Sequence, residues 1–255
     1  MSQVHLQGKF VWCEHLSNDS AAASRFYEQL FDWHTEAMPM GEQRYSMVMN
    51  DGDGIGGYRE APAGMPAHWL SYISVADVDA AHKTAVASGA KAQMEPMDMG
   101  EVGRGSVITD PTGATVALWN STDGDRADVE QAPNGSFCWH ELWTGDEKAA
   151  ILFYQQVIGY QHDSMDMGPA GIYHLLTHDG QQRAGVMRDS EGKAPPMWLP
   201  YVAVADADAS ANKAEQLGAK IVVPPTDIPV GRFSVLIDPL GAAIGVVHLQ
   251  PGQQG

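Results

Sequence analysis

Two short segments of this chain repeat the pairing of an indole with a carboxylate. Trp12-Cys13-Glu14 and Trp139-His140-Glu141 each place a glutamate two residues after a tryptophan, and residues two apart on a strand share a face. A carboxylate on an otherwise apolar face needs a partner, because an unpaired buried charge is expensive. Arginine recurs in step: Arg104 and Arg232 each stand six residues before the Asp of an Asp-Pro turn. The expected pairs are therefore Glu14 with Arg104 and Glu141 with Arg232. Functionally, Glu14 and Glu141 are candidate general bases, and with arginine they are candidate ligand-binding ion pairs. Structurally, the same pairs are salt bridges inherited by both halves. Aromatic residues recur as well: Trp12, Tyr45 and Tyr72, then Trp139, Tyr173 and Tyr201. They are candidates to line a pocket for a flat or amphipathic ligand, with core packing as the alternative.

Other reactive side chains are less well placed. His15 and His140 sit next to the glutamates, but neighbours on a strand point to opposite faces, so neither pair chelates one ion. His162, His174 and His178 cluster in sequence near a hairpin, as a weak metal possibility or as ordinary histidines. Met38 and Met40 recur as Met165 and Met167 at period two, and flexible thioethers there are expected to fill gaps. Gly54-Ile-Gly56-Gly57 follows a hairpin turn and opens no helix, so it is not a dinucleotide fingerprint. Cys13 is expected to be a small buried residue.

These residues are carried by a duplicated chain. At an offset of 127, Gly8, Phe10, Trp12, Glu14 and Asp19 recur as Gly135, Phe137, Trp139, Glu141 and Asp146. The agreement drifts by one or two residues along the chain and ends with Asp110-Pro111 and Gly113-Ala114 matching Asp238-Pro239 and Gly241-Ala242 at offset 128. A period this long means duplicated domains. The expected domains are residues 8–120 and 135–250, joined by a polar linker at 121–134. Each half is itself two similar pieces: a strand, a helix announced by a capping Ser-Asn-Asp or Asp, then further strands closed by Asp-Gly or Asp-Pro-x-Gly turns. The expected fold class is α+β, with four βαβββ units forming two lobes, each a sheet curled around a cup.

The ordered set Asp19, Phe26-Tyr27, Leu30-Phe31-Asp32-Trp33, Val75-x-Asp77, Gly89-Ala90 and Asp110-Pro111-x-Gly113, seen twice, resembles the vicinal oxygen chelate superfamily of glyoxalases, bleomycin-resistance proteins and extradiol dioxygenases. The chain is most similar to its tandem-lobe glyoxalase-like members. The resemblance implies metal ligands on the first strand of each unit and on the strand after the Asp-Pro-x-Gly turn. Counting from the motifs, those positions hold Trp12 and Trp139, Leu70 and Leu199, and Ala117 and Gly245. None offers a lone pair to a divalent ion, so no metal and no cofactor is expected there.

The charge balance, 15 Lys and Arg against 32 Asp and Glu, argues against nucleic-acid binding. No segment reads as a membrane span or a signal peptide, and a cytoplasmic protein is expected, either a monomer with pseudo-dimeric lobes or a homodimer. The leading functional reading is a metal-free cup that binds a small aromatic or amphipathic molecule. The alternatives are a metal-dependent lyase or dioxygenase, a metal-free isomerase or hydrolase with Glu14 or Glu141 as base, and an interaction module whose two lobes mimic a dimer.

Overall fold

Among the described residues, four aspartates start the four helices. Asp19 accepts a hydrogen bond from the Ala22 N–H ahead of α1 (Ser20–Phe31). Asp77, Asp146 and Asp206 do the same for Ala80, Ala149 and Ala209, ahead of α2 (Val78–Ala87), α3 (Glu147–Ile158) and α4 (Ala207–Gln216). Such a cap satisfies a donor the first helical turn cannot, and contributes about 1 kcal/mol. These recurring aspartates are therefore structural. The computed structural model describes residues 4–40, 43–167, 171–189, 192 and 194–250.

Each helix follows one strand and precedes three. Around α1 these are β1 (Phe10–Ser17), β2 (His34–Met40), β3 (Gln43–Asn50) and β4 (Asp53–Glu60). Around α2 they are β5 (His68–Ser74), β6 (Lys91–Asp98), β7 (Gly103–Thr109) and β8 (Thr115–Ser121). The second half repeats the pattern with β9 (Phe137–Thr144), β10 (Gln161–Asp166), β11 (Ile172–His178) and β12 (Gln181–Arg188) around α3. The last module has β13 (Met197–Ala203), β14 (Lys220–Ile228), β15 (Gly231–Ile237) and β16 (Ala243–Leu249) around α4. The strands form two eight-stranded sheets, β2-β3-β4-β1-β5-β8-β7-β6 and β10-β11-β12-β9-β13-β16-β15-β14. This is the expected α+β arrangement of four βαβββ modules in two duplicated lobes. The ladders repeat in register: Glu14 faces Gly57 as Glu141 faces Gly185, and Tyr72 faces Ala117 as Tyr201 faces Gly245.

One strand was not legible. Gly54-Ile-Gly56-Gly57 lies within β4, where glycine weakens the strand signal. The glycines are there because of close neighbours: a β-carbon on Gly56 would meet the Cys13 carbonyl, and one on Gly57 the Tyr45 hydroxyl. The methionine reading is also corrected. Met38 and Met165 are 40% and 44% exposed, because they lie on β2 and β10, the outermost strands of their sheets, and so fill no gap. The Met40 side chain lies outside the described residues.

Packing divides the chain into two compact units that draw on both halves. One comprises the chain up to Val11, Ser71–Ala127 and His140–Trp198, and the other Trp12–Leu70, Asp128–Trp139 and the chain from Leu199 onward. Each has its own core, the first around Ile73, Leu118, Leu142 and Tyr154, the second around Tyr27, Trp33, Val202 and Ile244. Within each unit an Asp-Pro turn ties one module to the other's helix. Asp238 accepts the N–H groups of Leu240, Gly241 and Ala242 on one oxygen, and on the other the Tyr27 hydroxyl at 2.9 Å and His15 Nε2 at 2.8 Å. In the other unit Asp110 accepts the N–H groups of Thr112, Gly113 and Ala114, and the Tyr154 hydroxyl at 2.9 Å. Trp69 and Trp198 donate their indole N–H to these same tyrosines at 2.9 and 2.7 Å. The recurring Tyr, Trp and Asp-Pro motifs thus form one buried hydrogen-bond chain, made once in each unit.

Candidate functional site

His15 packs edge-on against Tyr27 of α1 at 5.6 Å. Its strand neighbour Glu14 therefore lies on the helix-free face of β1, together with Trp12. Glu14 is 5% exposed, and a carboxylate so placed must be satisfied locally. The Tyr45 hydroxyl donates to its Oε1 at 2.9 Å, the Trp12 indole donates to the Tyr45 hydroxyl at 2.9 Å, and Arg59 Nη1 donates to Oε2 at 3.2 Å. Burial, and after it the Glu14 charge, pushes the Tyr45 phenol far above its usual range. Tyr45 is thus a fixed proton donor to the carboxylate at any working pH. The side chain of Arg59 is half exposed while that of Glu14 is nearly covered. The ion pair thus has one end at the surface of the site.

Gly57 makes this geometry possible, since the Tyr45 hydroxyl occupies the space a β-carbon would take. Gly57→Ala should therefore expel the phenol from Glu14. The expected readout is loss of the hydrogen-bonded Tyr45 hydroxyl proton from the NMR spectrum while the fold persists. An unchanged hydroxyl signal would contradict the assigned geometry.

The second half keeps the tyrosine and the glutamate and adds an indole. Glu141 is 7% exposed, and Tyr173 stands over Gly185 as Tyr45 stands over Gly57. The Trp143 indole donates to Glu141 Oε1 at 2.5 Å. Trp143 replaces Leu16, and Met187 replaces Arg59 in the matching ladder positions. The second half thus brings to its carboxylate an indole from the position that Leu16 holds in the first. His140, behind Glu141 on the opposite face, is stacked on Phe10 at 4.0 Å, and burial pushes its pKa down to about 3. It is neutral at physiological pH.

The expected glutamate–arginine pairs do not form. Arg104 makes a two-pronged contact with Asp79 at 2.7 and 2.8 Å and reaches Asp98 at 2.8 Å. Arg232 does the same with Asp208 at 2.6 and 3.0 Å and Asp227 at 2.8 Å. Strand parity is the reason. Gly105 lies under Trp119 on the helix-free face, so Arg104 points the other way, to the first turn of α2 where Asp79 sits. Hydrogen bonds from these arginines hold Asp79 and Asp208 below the usual carboxylate range. Both arginines are brackets between a helix and a hairpin.

The remaining candidates separate as well. Tyr72 and Tyr201 are buried, beside Trp119 and Phe233 respectively. His162 Nε2 meets His174 Nδ1 at 2.9 Å, whereas His178 turns to Asp179. Among the described residues no three His, Cys, Asp or Glu side chains gather to hold an ion. Cys13 is buried, as expected, and burial pushes the Cys138 thiol up to about 12. Recurrence singled out Glu14 and Tyr45, but Arg59, Trp143 and Trp119 recur in neither half and were passed over for that reason.

The comparisons with known proteins agree with this fold. CFP32 of Mycobacterium tuberculosis, whose name describes it provisionally as a glyoxylase, is 38% identical over 97% of both chains. The sequence profile of the Glyoxalase/Bleomycin resistance protein/Dioxygenase superfamily matches residues 9–118. The chain belongs to that superfamily. A second relative, the anthracycline biosynthesis protein DnrV of Streptomyces peucetius, is 33% identical over 96% of this chain and 94% of its own. Among solved structures, a Mn(II)-bound glyoxalase from Novosphingobium aromaticivorans superposes with a TM-score of 0.66 at 17% identity, covering 98% of this chain and 84% of that one. An extradiol ring-cleaving dioxygenase from B. fuscum gives 0.67 at 14% identity, covering all of this chain and 73% of that one. At such identities the likeness is one of fold.

Superfamily folds of this kind include metal enzymes, so the donor set must be compared with that role. Trp12, Leu70 and Ala117, and Trp139, Leu199 and Gly245, carry no group able to coordinate a divalent ion. The nearest carboxylates on β1 and β9, Glu14 and Glu141, are engaged with Tyr45, Arg59 and Trp143. These residues do not fit a metal at the family's position. No helix among the described residues is long and apolar enough to cross a membrane.

Proposed function

We propose that the helix-free face of β1 binds a small organic molecule without a metal, and that Glu14 is the group that receives its polar end. The observation that carries this reading is the hydrogen-bond chain from Trp12 through Tyr45 to Glu14, closed by Arg59. Burying a carboxylate on a face with no helix to cover it serves no packing purpose, and a preorganised acceptor is what a ligand hydroxyl or amine needs. The names of the relatives, one attached to glyoxylase activity and one to anthracycline biosynthesis, support a small-molecule ligand. Sequestration without chemistry is the leading form of the proposal. Proton abstraction by Glu14, as in a metal-free isomerase or hydrolase, is the second form, favoured by the fixed orientation that Tyr45 and Arg59 give the carboxylate.

The test separates a binding carboxylate from a structural one. Glu14→Gln keeps an acceptor for Tyr45 and removes only the charge opposite the half-exposed Arg59, so the melting temperature should stay within about 3 °C of the wild type, equivalent to roughly 1 kcal/mol. Affinity for hydroxylated aromatic fragments, followed by saturation-transfer NMR, should fall about tenfold, the value of a charge-assisted hydrogen bond. A large loss of stability with affinity intact would instead make Glu14 a structural residue.

A further inference from the structure

The second module presents an indole lying flat on bare backbone. Trp119 of β8 is the ladder partner of Gly105 on β7. A β-carbon on Gly105 would stand 3.0 Å from the indole Cε3, and one on Gly103 would stand 2.6 Å from Cζ2. Two glycines are therefore needed for the ring system to seat itself across the strand. Tyr72 meets the indole edge-on, with centroids 5.9 Å apart and planes at 79°. Ile73 belongs to the core with Val78, Ala81 and Ala85 of α2, so Tyr72 and Trp119 lie on the helix-free face. Trp119 is half-buried, so part of the indole stays accessible although its ring is seated against the Gly103 and Gly105 backbone.

Packing alone does not require this arrangement. In the fourth module Phe233 stands at the position of Gly105 and Val247 at that of Trp119, and the two are again ladder partners. The aromatic ring has moved to the neighbouring strand, where Phe233 packs 6.2 Å from Tyr201, whose ring lies over Gly245. The module thus folds with an ordinary phenylalanine contact and no indole laid on glycine.

We propose that Trp119 is a stacking platform for a planar aromatic ligand, a binding residue of the second module that the fourth lacks. This rests on the reading that the chain binds a small organic molecule, and adds the ligand's shape. Offset stacking on an indole rewards flat fused rings over saturated ones of the same size. A chain of formal net charge −17 disfavours an anionic ligand.

The probes are 2,7-dihydroxynaphthalene and the corresponding saturated decalin diol, which shares its two-ring skeleton but is not flat. The protein carries 5-fluorotryptophan, and the Trp119 resonance is identified by its absence in Trp119→Phe. The naphthalene diol should shift that resonance through its ring current and bind more tightly than the decalin diol. Trp119→Leu should weaken it by about threefold to tenfold, the range of aromatic pair energies, and erase the preference for the flat probe. Trp119→Phe should keep part of it. Should the leucine variant fail to fold, the wild-type shift and the phenylalanine variant decide alone. Binding of the naphthalene diol with the Trp119 resonance unmoved, or undiminished in Trp119→Leu, overturns the platform and leaves the small-molecule reading standing. Binding of neither diol at millimolar concentration overturns both.

Discussion

Between pH 7.5 and pH 5 the protein should lose about 2 kcal/mol of stability through one residue, His140. The imidazole is 5% exposed and stacked on Phe10, and burial holds its pKa near 3, against about 6.5 in an unfolded chain. In that interval the unfolded state binds a proton that the folded state refuses. Stability is therefore complete above pH 6.5 and falls by about 1.4 kcal/mol per unit as pH drops toward the folded value. Most aspartates and glutamates titrate lower, so the upper part of this window reports mainly on histidine. His174, also pushed down by burial and then by the neighbouring His162 charge, contributes with the same sign, which is why the comparison must be with a variant. The first half supplies one: Cys13, buried to 1%, occupies the matching position. Urea midpoints of the wild type and His140→Cys, collected from pH 7.5 to 5, should diverge, the wild type falling more steeply than the variant. Parallel curves would mean that His140 does not carry the acid sensitivity.

Asp238→Ala should be the most damaging single change in the molecule, at about 3–5 kcal/mol. The carboxylate is the acceptor for three backbone N–H groups of its own turn, for the Tyr27 hydroxyl and for His15 Nε2. Removing it leaves several buried donors without a partner, and each such group costs more than the bond it made. For a chain of this size the melting temperature should drop by about 10 °C. Tyr27→Phe removes one of these bonds and strands the Trp69 indole N–H, so its effect should be smaller and less than additive with Asp238→Ala. Burial alone would raise the Asp238 pKa, but the hydrogen bond and charge of His15, the backbone N–H of Ala242 and the Tyr27 hydroxyl outweigh it and hold the group below the usual range. That share of stability is present above the ordinary aspartate value near 4 and disappears as pH falls through the lower folded one. Thermal melts in which Asp238→Ala matches the wild type within 1 °C would show that the turn is held by other means.

What the chain declares by itself is local and repeated. Asp19, Asp77, Asp146 and Asp206 announce their helices because a cap acts over three residues, and duplication shows each signal twice over. The α+β class and the four modules follow from those caps and turns. The place of Glu14 and Tyr45 was legible too, since both recur with the glycine that Tyr45 covers. The partners of these residues were not legible. Whether Arg104 met Glu14 or Asp79 turned on strand parity, a one-residue matter that reverses every facing and that no count from a distant motif resolves. Arg59 and Trp143 were invisible to a search for repeats because the two halves had diverged there. Above all, the residues that meet Asp238 and Asp110 come from the helices of the opposite half. The sequence determined what each module is. Only the tertiary structure decided which modules share a core and which charge meets which, because those choices depend on cross-strand register and on contacts between residues more than forty positions apart.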